Sequence, residues 1–333
     1  MRKPISLTGI KPTGTPHLGN YLGMIQPALN LVKHYQPIYF IADYHALTTL
    51  HDRELLKQYT HELAATWLAL GLNPDEVIFY RQSDIPEIFE LTWILSCFTT
   101  KGLLNRAHAY KSIADANTSI GRPIDDGVNG GIFQYPVLMA SDILLFNTDI
   151  VPVGYDQRQH IEIARDIAIS FNATYGDVLT IPEAVIQEAV SVIPGIDGRK
   201  MSKSYNNTIP LFAEPKQLRK QVMRIVTDSK RPEDPKNPDE CNVFAIYQHV
   251  ADADDVRVMR ERYIKGGVAY GELKQQLFEL LDNRFSEARE RYHELIEQPK
   301  QIDEILDAGA QKARQIAQHN LNQVRSVLGV KVR

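Results

Sequence analysis

Ile5-Ser6-Leu7-Thr8-Gly9-Ile10-Lys11-Pro12-Thr13-Gly14-Thr15-Pro16-His17-Leu18-Gly19-Asn20-Tyr21-Leu22-Gly23 is the stretch that decides the fold. A β-prone run, Ile5 to Thr8, breaks at Gly9 into a turn rich in Gly and Pro. Apolar residues then recur at helical spacing through Leu18, Leu22, Ile25, Leu29 and Leu31. Strand, turn and helix in that order bring backbone N–H donors and a positive helix-dipole end together, which suits a polyphosphate. The glycine spacing is neither Gly-x-Gly-x-x-Gly nor a Gly-Lys-Ser/Thr loop, so neither common nucleotide fingerprint applies. A Gly/Pro turn alone is usually structural. The tetrad His17-Leu18-Gly19-Asn20 shifts the balance, with Gly19 where backbone and nucleotide would touch.

Moving outward, Ile38-Tyr39-Phe40-Ile41-Ala42 is a continuous apolar run ending in Asp43-Tyr44-His45. Such a run predicts a buried parallel strand that delivers polar side chains at its C-terminal end. Residues 52–70 predict an amphipathic helix stopped by Gly71, Val77 to Tyr80 a further strand, and Ile85 to Leu104 helix. Residues 111–131 lose periodicity and gather Asp, Asn and Gly, which predicts a long loop. Tyr135 to Phe146 is apolar nearly all round except for Asp142. Ile150 to Gly154 predicts a strand and Asp156 to Phe171 a helix. Alternating strands and helices argue for an α/β fold with a doubly wound parallel sheet. Beyond about Pro210 only helical patterns remain, at 215–226, 239–250, 270–295 and 301–328, so an all-helical domain follows the α/β one.

The chain has 333 residues, enough for a large domain and a smaller one. Its net charge of −4 excludes a general nucleic-acid sponge, so an RNA partner must be met by local patches. Two cysteines, Cys97 and Cys241, cannot build a disulfide framework or a Cys-rich metal site. No signal-peptide pattern and no apolar run of membrane length is visible, so a cytoplasmic protein is expected.

Asp142 is the most informative single residue. A carboxylate within Pro-Val-Leu-Met-Ala-Ser-Asp-Ile-Leu-Leu-Phe is costly to bury unless something pairs with it. It is either a structural carboxylate bonded to backbone or arginine, or an acceptor awaiting a donor on a ligand. Lys200 and Lys203 flank Met201-Ser202 in a Gly-flanked polar loop. Two ammonium groups at that spacing can gather a triphosphate and follow its charge as it leaves, although Lys-rich loops are more often simply solvated. His45, and Gln157 and Gln159 around Arg158, divide evenly between ligand contact and local hydrogen bonding, and His160 is assigned to structure. Lys216, Arg219, Lys220 and Arg224 oppose an apolar face of Leu218, Val222 and Ile225. Such a face is usually just solvated, and here it is also the best local candidate for an RNA backbone contact.

Taken together, these residues resemble the class I aminoacyl-tRNA synthetases, and within them the bacterial tryptophanyl-tRNA synthetases. His17 to Asn20 is similar to the His-Ile-Gly-His element and Lys200 to Ser204 to the lysine loop. Tyr135 to Phe146 with Val151 to Gln157 resembles the substrate helix and the strand after it. Val226 to Ser229 and Leu306 to Ala310 match the helical domain. The resemblance implies a Rossmann-like catalytic domain over 1–208 with a connecting insertion at about 85–135. It also implies a helical anticodon-binding domain over 209–318 and a C-terminal helix end, 319–333, packing back on the catalytic domain.

By that resemblance, Asp142 accepts the indole N–H, and Gly9, His45, Tyr135, Met139, Ile143, Val151, Val153 and Gln157 line the tryptophan pocket. ATP falls to Lys11, Pro12, Thr13, Gly19, Asn20, Gly154, Tyr155, Asp156, Val192, Lys200, Met201, Ser202, Lys203 and Ser204. His17, Asn20, Lys200, Ser202 and Lys203 are the implied catalytic set, and Mg²⁺ is bound mainly through phosphates. L-tryptophan, tRNA(Trp) and a second copy of the chain are the implied partners, with no DNA or membrane and no protein-bound metal. Lys11 stands where many members carry glutamine, Leu7 where an aromatic is common, and Tyr155 where an acidic residue is usual. The implied reaction is two-step: the tryptophan carboxylate attacks the α-phosphorus of ATP, and the adenylate then acylates the tRNA 3′ end. A tyrosyl-tRNA synthetase would need a different polar pair for a phenol. A small-molecule adenylyltransferase would not need so long a helical domain. A non-catalytic RNA-binding paralogue would be expected to have lost the lysine loop.

Overall fold

The computed structural model describes residues 3–154, 157–186 and 193–332. Among the described residues five parallel strands stand in the order β3-β2-β1-β4-β5: β1 (Ile5–Ile10), β2 (Gln36–Ile41), β3 (Ile78–Arg81), β4 (Ile150–Val153) and β5 (Glu183–Ile186). β1 pairs with β2 from Ile5↔Gln36 to Ile10↔Ile41 and with β4 at Ser6↔Ile150. The strand order reverses between β1 and β4, and the crevice beyond their C-terminal ends is where such sheets bind ligands. β2 is buried from Pro37 to Ile41, as its unbroken apolar run requires.

The helix after β1 is built in three pieces: α1 (Leu18–Asn20), a π-helical turn (Tyr21–Ile25) and α2 (Gln26–Leu31). Pro27 explains the widening, because it has no N–H to donate and its ring crowds the carbonyl four residues back. The other helices before β4 are α3 (Asp43–Ala46), α4 (Arg53–Ala69), α5 (Glu87–Ser96), α6 (Lys101–Asn105), α7 (His108–Ser119) and α8 (Gly130–Leu144). Asp52 and Asn129 start α4 and α8 by accepting the N–H of Leu55 and Ile132, each at 2.9 Å. The expected long loop at 111–131 is corrected: α7 runs to Ser119 and α8 begins at Gly130, leaving only 120–129 as loop. Small or polar residues there, with Tyr110, Ala114 and Asn117 as the buried stripe, hid the helical period.

α9 (Arg158–Tyr175) precedes β5. The helical part consists of α10 (Pro215–Met223), α11 (Asn242–Val250), α12 (Ala253–Lys265), α13 (Tyr270–Glu297) and α14 (Pro299–Leu328). Residue 208 marks no gap in the packing. On one face of the sheet Tyr39, Ile41 and Phe79 join Leu63 and Trp67 of α4, and the same apolar cluster continues through Leu218 and Leu277 to Ile302 and Leu306. The opposite face collects Ile38, Phe40 and Tyr80 with α5, α8 and α9, and also Ala313, Ala317, Leu321 and Val324 of α14.

α14 therefore passes the β3 edge and changes from one face of the sheet to the other. Gly309 makes the crossing possible, since a Cβ there would lie 1.8 Å from the Phe79 carbonyl oxygen. Arg314 on Glu87 and Arg325 on Glu90 fasten the rest of α14 to α5. The return to the sheet thus begins well before residue 319.

Candidate active site

The ends of β1, β2 and β4 carry most of the residues singled out in the sequence. Beyond β1 come Lys11, Pro12 and Thr13, then His17, Gly19 and Asn20 at the start of α1. Gly9 lies within β1, and a Cβ there would strike the Phe40 ring at 2.3 Å. Beyond β2, α3 carries His45. Beyond β4 come Gly154 and Gln157, both exposed, while Val151 and Val153 lie on one side of β4 itself. α8 crosses beside them with Tyr135, Met139, Asp142 and Ile143, spaced along one helical face.

Asp142 is buried at 1% exposure and is not bare. The Gln82 Nε2 donates to both of its oxygens, at 2.8 and 2.9 Å, and the His45 Nε2 lies 2.8 Å from Oδ2. The expected structural partners, backbone or arginine, are corrected: an amide and an imidazole hold the carboxylate. Burial pushes its pKa above the ordinary carboxylate value, while the bonds from His45 and Gln82 pull the other way. The Tyr135 ring meets His45 edge-on at 5.4 Å and His160 at 4.9 Å. His160 is thus buried packing behind Tyr135, in keeping with its structural assignment. Gln159 accepts the His108 N–H and donates to the Arg106 carbonyl, so it serves α7.

Sequence reasoning missed Gln82, although the rule that singled out Asp43-Tyr44-His45 after β2 applies equally to Gln82-Ser83-Asp84 after β3. Those three residues form a 3₁₀ turn. Ser83 donates its N–H and its hydroxyl to Asp43, and Arg81 is held by Asp84, Asp303 and Asp307. Asp303 also contacts the His61 ring at 3.0 Å.

The other side of the crevice is assembled from two loops that touch. The Leu18 N–H donates to the Ile209 carbonyl at 2.9 Å, and the Gly19 N–H points at the Met201 sulfur at 3.3 Å. The Lys203 ammonium donates to the Gly14 carbonyl at 2.6 Å and lies 3.3 Å from that of Thr13. The residue as a whole is exposed, but desolvation of the ammonium seated on these carbonyls lowers its pKa to about 8. His17 is buried, and desolvation together with the Lys203 charge lowers its pKa to about 4. It is therefore neutral near pH 7 in this arrangement, with a ring nitrogen able to donate a hydrogen bond. Asn20 accepts the His17 N–H at 3.1 Å, which leaves its amide nitrogen as the available donor.

Asn207, also missed by sequence reasoning, holds the lysine loop from beneath. It accepts the Ser202 N–H at 2.8 Å and donates to Asp197 at 2.7 Å and to the Lys200 carbonyl at 3.1 Å. Lys200 and Ser204 are exposed beside it and Ser202 is half-buried. The Lys11 ammonium sits 5.1 Å from the Tyr135 ring centre, which connects the turn after β1 to α8. Tyr155, Asp156 and Val192 lie outside the described residues.

The model of the tRNA synthetases class I (W and Y) family matches residues 1–286. The chain is 52% identical over 330 residues to the Tryptophan--tRNA ligase of Pseudomonas aeruginosa, covering 98% of this chain and 73% of that one. To the Tryptophan--tRNA ligase of Neisseria meningitidis it is 48% identical over 334 residues, covering 99% of each. It is also similar to the crystal structure of the Campylobacter jejuni tryptophanyl-tRNA synthetase complexed with ADP and tryptophan. That match has a TM-score of 0.88 at 48% identity and covers 98% of this chain and 100% of that one. With a parallel sheet that reverses order at β1/β4, the His17 tetrad docked on the lysine loop and this span of likeness, the chain belongs to the class I tRNA synthetases of the tryptophan and tyrosine family.

Proposed function

We propose that the chain activates L-tryptophan with ATP to the aminoacyl adenylate, releasing pyrophosphate, and then transfers tryptophan to the 3′ end of tRNA(Trp). The tryptophan–tRNA ligase reaction is that of its relatives, and the roles of the residues are our reading. One observation supports it most: a buried carboxylate at the sheet switch point, with a phosphate-suited pair of loops already in contact beside it. Asp142 accepts the indole N–H, which is a donor-only group. Tyr135, Met139, Ile143, Val151 and Val153 enclose the ring, and Gly9, His45 and Gln157 complete the pocket.

ATP lies between Lys11 to Thr13, Gly19 and Asn20 on one side and Lys200 to Ser204 on the other, with Gly154 at the β4 end. Tyr155, Asp156 and Val192 stay in the proposed set on the resemblance alone. No protein nucleophile is needed, because in-line displacement at phosphorus calls for positioning and charge stabilisation. Lys200 and Lys203 follow the charge onto pyrophosphate, while His17, Asn20 and Ser202 donate hydrogen bonds. Mg²⁺ comes with the triphosphate; the ammonium, amide and hydroxyl groups around it suit phosphate oxygens rather than a divalent cation.

The domain division at 208/209 and 318/319 is proposed as a functional one, with residues 209–318 recognising the anticodon arm. The exposed Lys216, Arg219, Lys220 and Arg224 are the proposed tRNA backbone contacts. The enzyme is proposed to be a cytoplasmic homodimer. Trp93, 74% exposed, and Phe89 lie one helical turn apart on α5, an apolar face of the kind that a second copy covers. Among the described residues no helix is long and apolar enough to cross a membrane. ATP–pyrophosphate exchange with each of the twenty amino acids tests the reading. Exchange dependent on tryptophan is expected, and a preference for tyrosine would overturn it.

A further inference from the structure

Gln82 has no assigned role, yet it is fully buried and all of its polar atoms are engaged within the proposed tryptophan pocket. Its Oε1 accepts the backbone N–H of His45 at 3.3 Å. That bond fixes the amide's orientation, so Nε2 faces Asp142 and bridges both carboxylate oxygens. An ionised carboxylate offers about four acceptor directions. Gln82 takes one on each oxygen and His45 takes a second on Oδ2, so the open direction belongs to Oδ1. The backbone beneath Gln82 is anchored on both sides. Arg81 is fastened to Asp303 of α14 at 2.8 Å, and the Ser83 N–H to Asp43 at 3.0 Å. A side chain so held cannot turn away to follow Asp142 if the carboxylate moves.

We propose that Gln82 is a positioning residue for amino-acid selection, holding Asp142 so that Oδ1 alone is presented to the indole N–H of tryptophan. The proposal rests on Asp142 being the indole acceptor. A carboxylate free to rotate or tilt would accept the same donor with poorer geometry, and selection would weaken without loss of the acceptor itself. Gln82 never touches the substrate, so its effect must pass through Asp142.

A substrate without the N–H separates that role from general support of the fold. In β-(3-benzothienyl)alanine, sulfur replaces the indole nitrogen, so shape is nearly kept and the donor is lost. Gln82→Met keeps the length of the side chain and removes the bridge. Its kcat/KM for tryptophan in pyrophosphate exchange is expected to fall roughly 10- to 100-fold, the scale of losing a hydrogen bond to a charged group. The loss is expected mainly in the tryptophan KM, with the ATP KM unchanged. Activity with the benzothienyl analogue, low in the native protein, should change little.

Equal losses with both substrates would reduce Gln82 to a structural residue and overturn the proposal, as would an unchanged tryptophan KM. Should Gln82→Met not fold, Gln82→Asn keeps an amide one methylene too short to reach both partners. It should show the same one-sided loss for tryptophan, and a symmetric loss there would overturn the proposal too. A native protein that does not prefer tryptophan to its analogue would instead overturn the reading of Asp142 on which this rests.

Discussion

The two halves of the site are built on opposite principles. On the proposed tryptophan side a carboxylate of α8 is buried at 1% exposure and gripped by side chains from the ends of β2 and β3. On the proposed nucleotide side the lysines are exposed, and Lys203 rests on two backbone carbonyls of the facing turn. Discrimination between similar rings needs a group that does not move, because a buried polar atom left unpaired is what rejects the wrong ring. Charge leaving with pyrophosphate needs groups that can travel, and ammonium groups on flexible stems in an exposed loop can do so. One half is a template and the other a clamp.

The largest expected effect breaks the template. Asp142→Ala should collapse the preference for tryptophan over phenylalanine, by up to about 10⁴-fold, a scale taken from the tyrosine-specific relative. The variant also strands the Gln82 amide and the His45 ring, at about 1–3 kcal/mol of stability. Exchange rates with tryptophan, tyrosine and phenylalanine, read beside a thermal melt, separate the two losses. An undiminished tryptophan preference would make Asp142 a structural carboxylate.

Breaking the clamp should look different. Lys203→Ala is expected to lower the adenylation rate by roughly 10²-fold or more, the scale of losing one preorganised charge contact. Tryptophan affinity should hold, measured by equilibrium binding. If binding weakens as much as the rate, the loop shares in recognition and the contrast between the halves fails.

The halves should also titrate at opposite ends. Lys203, with its pKa lowered to about 8, loses its charge as pH rises through that value, so kcat/KM for ATP should fall on the alkaline side, up to about tenfold per pH unit. Asp142, raised by burial, is protonated as pH falls and then accepts the indole N–H without the help of a charge, so the tryptophan KM should rise on the acid side. Initial rates at varied ATP and varied tryptophan across pH resolve the two limbs. A single substrate carrying both would erase the distinction.

The smallest effect on activity sharpens the comparison from outside. Gly309→Ala forces a methyl against the Phe79 carbonyl and should lower stability by about 1–3 kcal/mol. It should leave the ratio of tryptophan to phenylalanine activity unchanged. A shifted ratio would mean that the β3 edge controls the pocket through Arg81 and Gln82.

Much of the architecture was legible because continuous apolar runs such as Ile38 to Ala42 and the stripe of residues 52–70 carry their own period. β5 was not, since Glu183 to Ile186 is four residues long on a sheet edge and only partly covered. α12 was not either: among its thirteen residues only Met259 and Tyr263 are buried, too thin a stripe to stand out. In the site, residues that carry rare chemistry in an apolar setting, such as Asp142, were legible from composition alone. Gln82 and Asn207 were not, because an amide's significance lies in what it touches, and their partners stand at Asp142 and Asp197. The charge state of His17 was equally hidden, being set by burial and by a lysine far along the chain.

The passage of α14 across the β3 edge has a consequence for the order of synthesis. Phe79 leaves the ribosome long before Gly309, at roughly 5–20 residues per second. Until then one edge of the sheet stands uncovered, and Arg81 waits for Asp303 and Asp307. A nascent chain carrying every residue of the proposed tryptophan and ATP sites still lacks the strap that steadies the strand end bearing Gln82. α14 is made after every proposed site residue and completes the template, so a message cut short before Asp303 yields a protein with every proposed site residue and an unfinished pocket.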